Sequence, residues 1–130
     1  MIQVLVDADN VDAARVAALL RALPEAGVRM TVAGHEDALA AVDWPAHADV
    51  VAAAGWQRAD LVLAASYELD DRPLVLVSGD GDFAQLVQRH GGPALVVSEA
   101  ASHRLRPGVT VVDPLLDGTD AVARWLQAVL

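Results

Sequence analysis

The chain has 130 residues, 55% of them hydrophobic, a formal net charge of −9 and no cysteine. That length fits one domain over residues 1–130, and the apolar content supplies a real core, since a domain near this size buries roughly two-thirds of its unfolded-chain surface. The acidic balance argues against non-specific electrostatic binding to nucleic acid, the absence of cysteine excludes disulfides and thiolate metal sites, and with neither a run of ~18 apolar residues nor a basic leader the chain is expected to be cytoplasmic, with no membrane partner.

Residues 2–7 read as a buried strand, and the apolar spacing from Asn10 to Leu23 as a helix closed by Pro24 and Gly27. Val28 to Ala33 is a second strand, Glu36 to Val42 a short helix broken by Trp44-Pro45, and Ala48 to Ala53 either a third strand or an apolar connector. Arg58 to Leu69 reads helical through Leu61, Val62, Ala65 and Leu69, with Asp70-Asp71-Arg72-Pro73 as its stop. Leu74 to Val77 is the clearest strand. A helix over Asp82 to His90, a strand over Ala94 to Val97, a polar loop over Ser98 to Gly108, a strand over Val109 to Val112 and a terminal helix over Asp117 to Leu130 complete the chain. Alternating strands and helices, with near-continuous apolar strands, predict an α/β fold: a single-domain three-layer αβα sandwich with a mainly parallel central sheet.

Two of these strands end in acid. Ile2 to Val6 runs into Asp7-Ala8-Asp9-Asn10, and Leu74 to Val77 into Ser78-Gly79-Asp80-Gly81-Asp82-Phe83. Parallel strands deliver both acid pairs to the carboxyl edge of the sheet, where ligands bind in open α/β folds. Carboxylates that meet there repel, by about 4 kcal/mol for a pair at ~4 Å and an effective dielectric near 20. A hard, oxygen-only cluster of this kind suits Mg²⁺ or Mn²⁺.

Helix capping competes for each acid taken singly. Asp9 or Asn10 suits the N-cap of the first helix, Asp12 its first turn, Asp80 the cap of the following helix, and Asp82 with Gln85 comes close to a capping box. Capping does not explain why an acid follows each strand and another stands two positions on. Asp60, in the first turn of the middle helix, is a candidate third contributor. The loop after the fifth strand gathers Ser102, His103, Arg104 and Arg106 against Glu99 alone, and offers forked donors suited to phosphate. Trp56 is a candidate for base stacking. The four histidines lack metal-ligand spacing.

These residues together resemble the NYN family, nucleases of the PIN-like superfamily. Asp7-Ala8-Asp9-Asn10 is similar to the family's Asp-Gly-x-Asn after a strand, and Gln57-Arg58-Ala59-Asp60 lies in register with its Lys-Gly-x-Asp. Ser78-Gly79-Asp80-Gly81-Asp82-Phe83 matches its Ser-Gly-Asp-x-Asp-Phe unchanged, and Ala101-Ser102-His103-Arg104-Leu105 its later Ala-Ser-x-x-Leu; the resemblance covers residues 2–115. It implies a PIN-like fold and a metal-dependent ribonuclease, a hydrolase in which Asp7, Asp60, Asp80 and Asp82 hold Mg²⁺ or Mn²⁺ and Asn10 and Ser78 orient ligands or a water. Arg58, Ser102, Arg104 and Arg106 are then the expected RNA contacts. Three positions depart from the pattern: Ala8 replaces a glycine, Gln57 a lysine, and Ser66 an acid.

Two other functions compete. Asp7-x-Asp9 resembles the first motif of haloacid-dehalogenase-type phosphatases, and acidic strand ends suit a phosphoacceptor receiver domain. Both lean on a lysine, and this chain has none. A non-catalytic NYN domain would act instead as an RNA-binding or protein-interaction module, through a protein partner or a homodimer, using the terminal helix with Val122, Trp125, Leu126 and Val129.

Overall fold

The first strand is buried along its whole length, which makes it the centre of the fold. In the computed structural model, which describes residues 1–53, 58–118 and 120–130, Ile2–Asp7 (β1) pairs on one side with Val28–Gly34 (β2) and on the other with Leu74–Val77 (β4). Asp49–Ala52 (β3) flanks β2, and Ala94–Val97 (β5) and Thr110–Val112 (β6) extend the sheet beyond β4. The order is β3-β2-β1-β4-β5-β6 and every pairing is parallel. The segment left open between strand and connector is thus a strand at the sheet's edge.

Side-chain alternation divides the core in two, because successive residues of a strand point to opposite faces. Val4 and Val6 pack with Val16 and Leu19 of Ala13–Ala22 (α1) and with Val122 and Leu126 of Asp120–Val129 (α5), while Leu39 of Glu36–Ala40 (α2) lies against the same cluster. Leu5 packs with Ala59 and Leu63 of Ala59–Ser66 (α3) and with Ala84 and Val87 of Ala84–Arg89 (α4). Helices therefore cover both faces of the sheet. Two of the four residues expected on a docking face of the terminal helix belong to the chain's own core instead: Val122 and Leu126 are 0% and 4% exposed, and Trp125 packs partly against the same cluster.

Several boundaries differ from the sequence reading for local reasons. Helix α1 starts at Ala13, after Asp12, because Asn10 turns back to donate from its backbone N–H to Asp7 O at 3.2 Å. The indole of Trp44 donates to Leu39 O at 2.8 Å and so satisfies a carbonyl at the end of α2, which stops at Ala40. Helix α3 ends at Ser66, well before Asp70. The buried amide of Gln3 clamps the next backbone, accepting from Glu68 N–H at 2.8 Å and donating to Glu68 O at 3.0 Å, which holds the chain in a non-helical path. After β4, the expected helix over Asp82 to His90 opens as a 3₁₀ turn at Gly81–Phe83 before α4, and α5 begins at Asp120. Trp56 and Gln57 lie outside the described residues.

The strand order places β1 and β4 side by side although they are far apart in sequence. Connections leave β1 toward one edge and β4 toward the other, so the crevice beyond their carboxyl ends is the topological switch point of the sheet. Asp7 ends β1, and Ser78 to Asp82 follow β4 directly.

Candidate metal centre at the β1/β4 edge

Asp7 shares the α3/α4 face with Leu5, and its register neighbour Ala33 packs in that same cluster. It is 1% exposed, an unusual position for a carboxylate. Its Oδ2 accepts from Asn10 Nδ2 at 2.5 Å and from the Ser78 hydroxyl at 3.0 Å. Its Oδ1 is buried without a partner among the described residues. Burial is the main influence and pushes the Asp7 carboxyl above the ordinary carboxylate range; the bonds from Asn10 and Ser78 oppose it, and the charges of Asp9 and Asp80 add to it.

The turn after β4 is built by side chains that accept from the backbone two residues on. Ser78 Oγ accepts from Asp80 N–H at 3.1 Å, and Asp80 Oδ1 from Asp82 N–H at 2.9 Å. Asp80 is therefore the N-cap of the 3₁₀ turn, and the capping role the sequence allows it is occupied by one oxygen only. Gly79 makes the geometry feasible, because a Cβ there would lie 2.6 Å from Ser98 Oγ and 2.9 Å from Ala100 O. Its own carbonyl accepts from Ser102 N–H at 2.9 Å, and Ser102 Oγ lies 2.8 Å from where a Gly81 Cβ would be. The loop after β5 thus lies against the β4 turn through Ser102, with Arg104 Cδ also near Gly81.

Asp60 and Asp82 meet through Arg58. The guanidinium donates from Nε to Asp60 Oδ1 at 3.0 Å and from Nη2 to Asp60 Oδ2 at 2.8 Å and Asp82 Oδ2 at 2.5 Å. Asp82, and secondarily Asp60, hold Arg58 more firmly protonated than a free arginine. The four aspartates consequently fall into two groups. Asp7 and Asp80 stand close enough to repel, whereas Asp60 and Asp82 share a cation of the chain's own. Among the described residues no three acid or imidazole side chains converge as a ready metal-binding group.

Other residues land elsewhere. Asp9 accepts from His35 N–H and faces the His35 ring, each at 2.9 Å, and so ties the β1 loop to the start of α2. Arg106 donates to Ala101 O at 3.3 Å within its own loop. The methyl of Ala8 is turned toward Gly34, where an added Cβ would lie 2.9 Å from it, so this departure fills space between β1 and β2. Ser66 donates to Leu63 O at 2.8 Å and ends α3.

One acid at the carboxyl edge escaped the sequence reading. Asp113, directly after β6, accepts two bonds from Arg15 at 3.0 Å, and the same guanidinium also reaches Asp12 and Glu99. Arg15 holds the Asp113 carboxyl below the ordinary range. The signal was present, since Val111-Val112-Asp113 is another apolar run stopping in acid.

An oxygen-only donor set with a buried, partnerless Asp7 Oδ1 fits a hard divalent cation at the inner pair. No family model and no curated protein matches the chain.

Proposed function

We propose that this chain is a divalent-cation-dependent ribonuclease of the NYN type, with a PIN-like fold, that hydrolyses RNA phosphodiester bonds beyond the carboxyl ends of β1 and β4. The observation that carries the reading is the Asp7 carboxylate, almost wholly buried, with two hydrogen-bond donors on Oδ2 and, among the described residues, none on Oδ1. A buried charge left half-satisfied is costly, and a site that tolerates it has a use for it.

Mg²⁺ or Mn²⁺ would be held by Asp7 and Asp80, with Asp60 and Asp82 as the outer acids. When bound, such a cation supplies positive charge to the phosphodiester and makes an attacking water more acidic. The chain's own residues set the stage for it. Asn10 and Ser78 fix the Asp7 rotamer, and Ser78 also holds Asp80 N–H, so one hydroxyl links both inner acids. The Ser102 turn brings the Arg104 side chain against Gly81, and its guanidinium would be the forked donor for a phosphate held at the same edge. The absence of lysine weighs against phosphoryl-aspartate chemistry at Asp7.

The test is cleavage of single-stranded and structured RNA by purified protein with Mn²⁺ or Mg²⁺. Cleavage lost in Asp7→Asn and Asp80→Asn supports the reading. RNA binding without cleavage under any metal supports the second reading, a non-catalytic NYN module, which the Arg58 bridge between Asp60 and Asp82 favours. Release of phosphate from a small phosphomonoester would point to a phosphatase.

A further inference from the structure

Arg58, an expected RNA contact under the nuclease reading on which this inference rests, is engaged by two of that reading's own acids. It stands on the backbone position just before α3 and donates three hydrogen bonds to two aspartates, none of them to the loop expected to meet RNA. The Oδ2 atoms of Asp60 and Asp82 lie within about 5.3 Å of each other, the sum of their contacts to the single Nη2. Asp60 is the more enclosed of the two, with a side chain 15% exposed against 47% for Asp82. Two carboxylates this close need a positive charge between them, and the guanidinium supplies it.

The Arg58 side chain itself is 58% exposed. Exposed ion pairs are weak and screened by salt, so the guanidinium is an easily displaced occupant. A divalent ion concentrates twice the charge in a compact sphere that binds carboxylate oxygens directly. We propose that Arg58 is a positioning residue that competes with the divalent cation: it neutralises Asp60 and Asp82 while the cation is absent and yields them when the cation binds. The outer acids are then kept in place without a metal. Cation binding also frees a guanidinium at the site's rim, in a chain that has no lysine for that duty.

The experiment is a Mn²⁺ titration of the full chain, read by the electron paramagnetic resonance signal of the free ion. The variants are Arg58→Gln, Arg58→Lys and Asp7→Asn, and no RNA is present. Arg58→Gln is expected to bind Mn²⁺ about fivefold more tightly than the wild type at low ionic strength, the magnitude of an exposed pair removed from competition. That advantage shrinks as salt rises, because salt also loosens Arg58 in the wild type. Arg58→Lys, which keeps the charge without the fork, falls between the two.

Equal affinity in wild type and Arg58→Gln, with binding lost in Asp7→Asn, overturns the competition and leaves the cation reading standing. Weaker binding by Arg58→Gln overturns it as well, by making Arg58 a support of the site. If wild type and Arg58→Gln both fail to bind Mn²⁺, the competition and the nuclease reading fall together.

Discussion

The Ser78 hydroxyl donates to Asp7 Oδ2 at 3.0 Å, a bond between the ends of two adjacent parallel strands whose residues are 71 positions apart. Asn10 Nδ2 donates to the same oxygen. Both donors are thus spent on one side of the carboxylate, and among the described residues the other side is bare in a buried setting. Such one-sided satisfaction is what a ligand oxygen requires, and it is the opposite of how a purely structural buried acid is treated.

A bare buried charge should cost stability. Asp7→Asn keeps the shape of the side chain, and its amide oxygen can accept from Asn10 and Ser78 while its NH₂ replaces the orphaned oxygen. The variant is expected to be more stable than the wild type by about 1–2 kcal/mol in urea denaturation, as when a functional residue is relieved of its strain. A loss of stability would mean that Asp7 braces the sheet edge.

The same substitution has a pH signature. Burial raises the folded-state pKa of Asp7 above the value of 3.8 for a free Asp. The folded state therefore binds more protons than the unfolded one above pH 3.8, and the contribution of Asp7 to stability falls as pH rises through that window. Asp113 is shifted the other way by Arg15, so its contribution is present above pH 3.8 and is lost as pH falls below it. Stability curves against pH should show the advantage of Asp7→Asn growing upward from pH 3.8. For Asp113→Asn, the deficit should disappear below that value.

Gly79 marks a second point of stress. A methyl group there meets Ser98 Oγ and Ala100 O well inside contact distance, so Gly79→Ala must push the β4 turn away from the loop after β5. The expected cost is about 1–3 kcal/mol, as for overpacking elsewhere. Mn²⁺ affinity should fall with it, because Asp80 and Asp82 ride on the displaced turn. Unchanged affinity in calorimetry would show that the turn does not position these acids.

Gln3 is the one polar side chain among the five residues of β1 before Asp7, and its amide carries both backbone groups of Glu68. Gln3→Leu should cost about 1–3 kcal/mol by chemical denaturation, since it leaves those groups to find water or nothing. A neutral result would assign the course of residues 67–70 to Tyr67, whose hydroxyl meets His90 Nδ1 at 2.7 Å.

The strands were legible because their signal is simple. Val4, Leu5, Val6 and Leu74 to Val77 are continuously apolar, as strands covered on both faces must be, and all six strands are parallel with Asp7 and Ser78 at neighbouring carboxyl ends. Helix boundaries were less legible, because individual side-chain contacts set them: Gln3, distant in sequence, clamps the chain just past the end of α3, and nearby Trp44 completes the end of α2. At the site, the strand-ending pattern pointed to Asp7, Asp9, Asp80 and Asp82, the family resemblance added Ser78, and Asp9 lies against His35. The division of the acids could not be read, because it depends on where one guanidinium comes to rest. Arg58 follows Gln57 in the sequence like any basic residue near a helix start, and only the folded chain brings it onto Asp60 and Asp82 together.

The most direct measurement is Mn²⁺ binding to the wild type and to Asp7→Asn, with both shown to be folded. The wild type is expected to bind one or more Mn²⁺ ions, with loss of that binding in Asp7→Asn despite its equal or higher stability. Mn²⁺ binding that is absent in the wild type, or undiminished in Asp7→Asn, would contradict the assignment of Asp7 as a metal ligand.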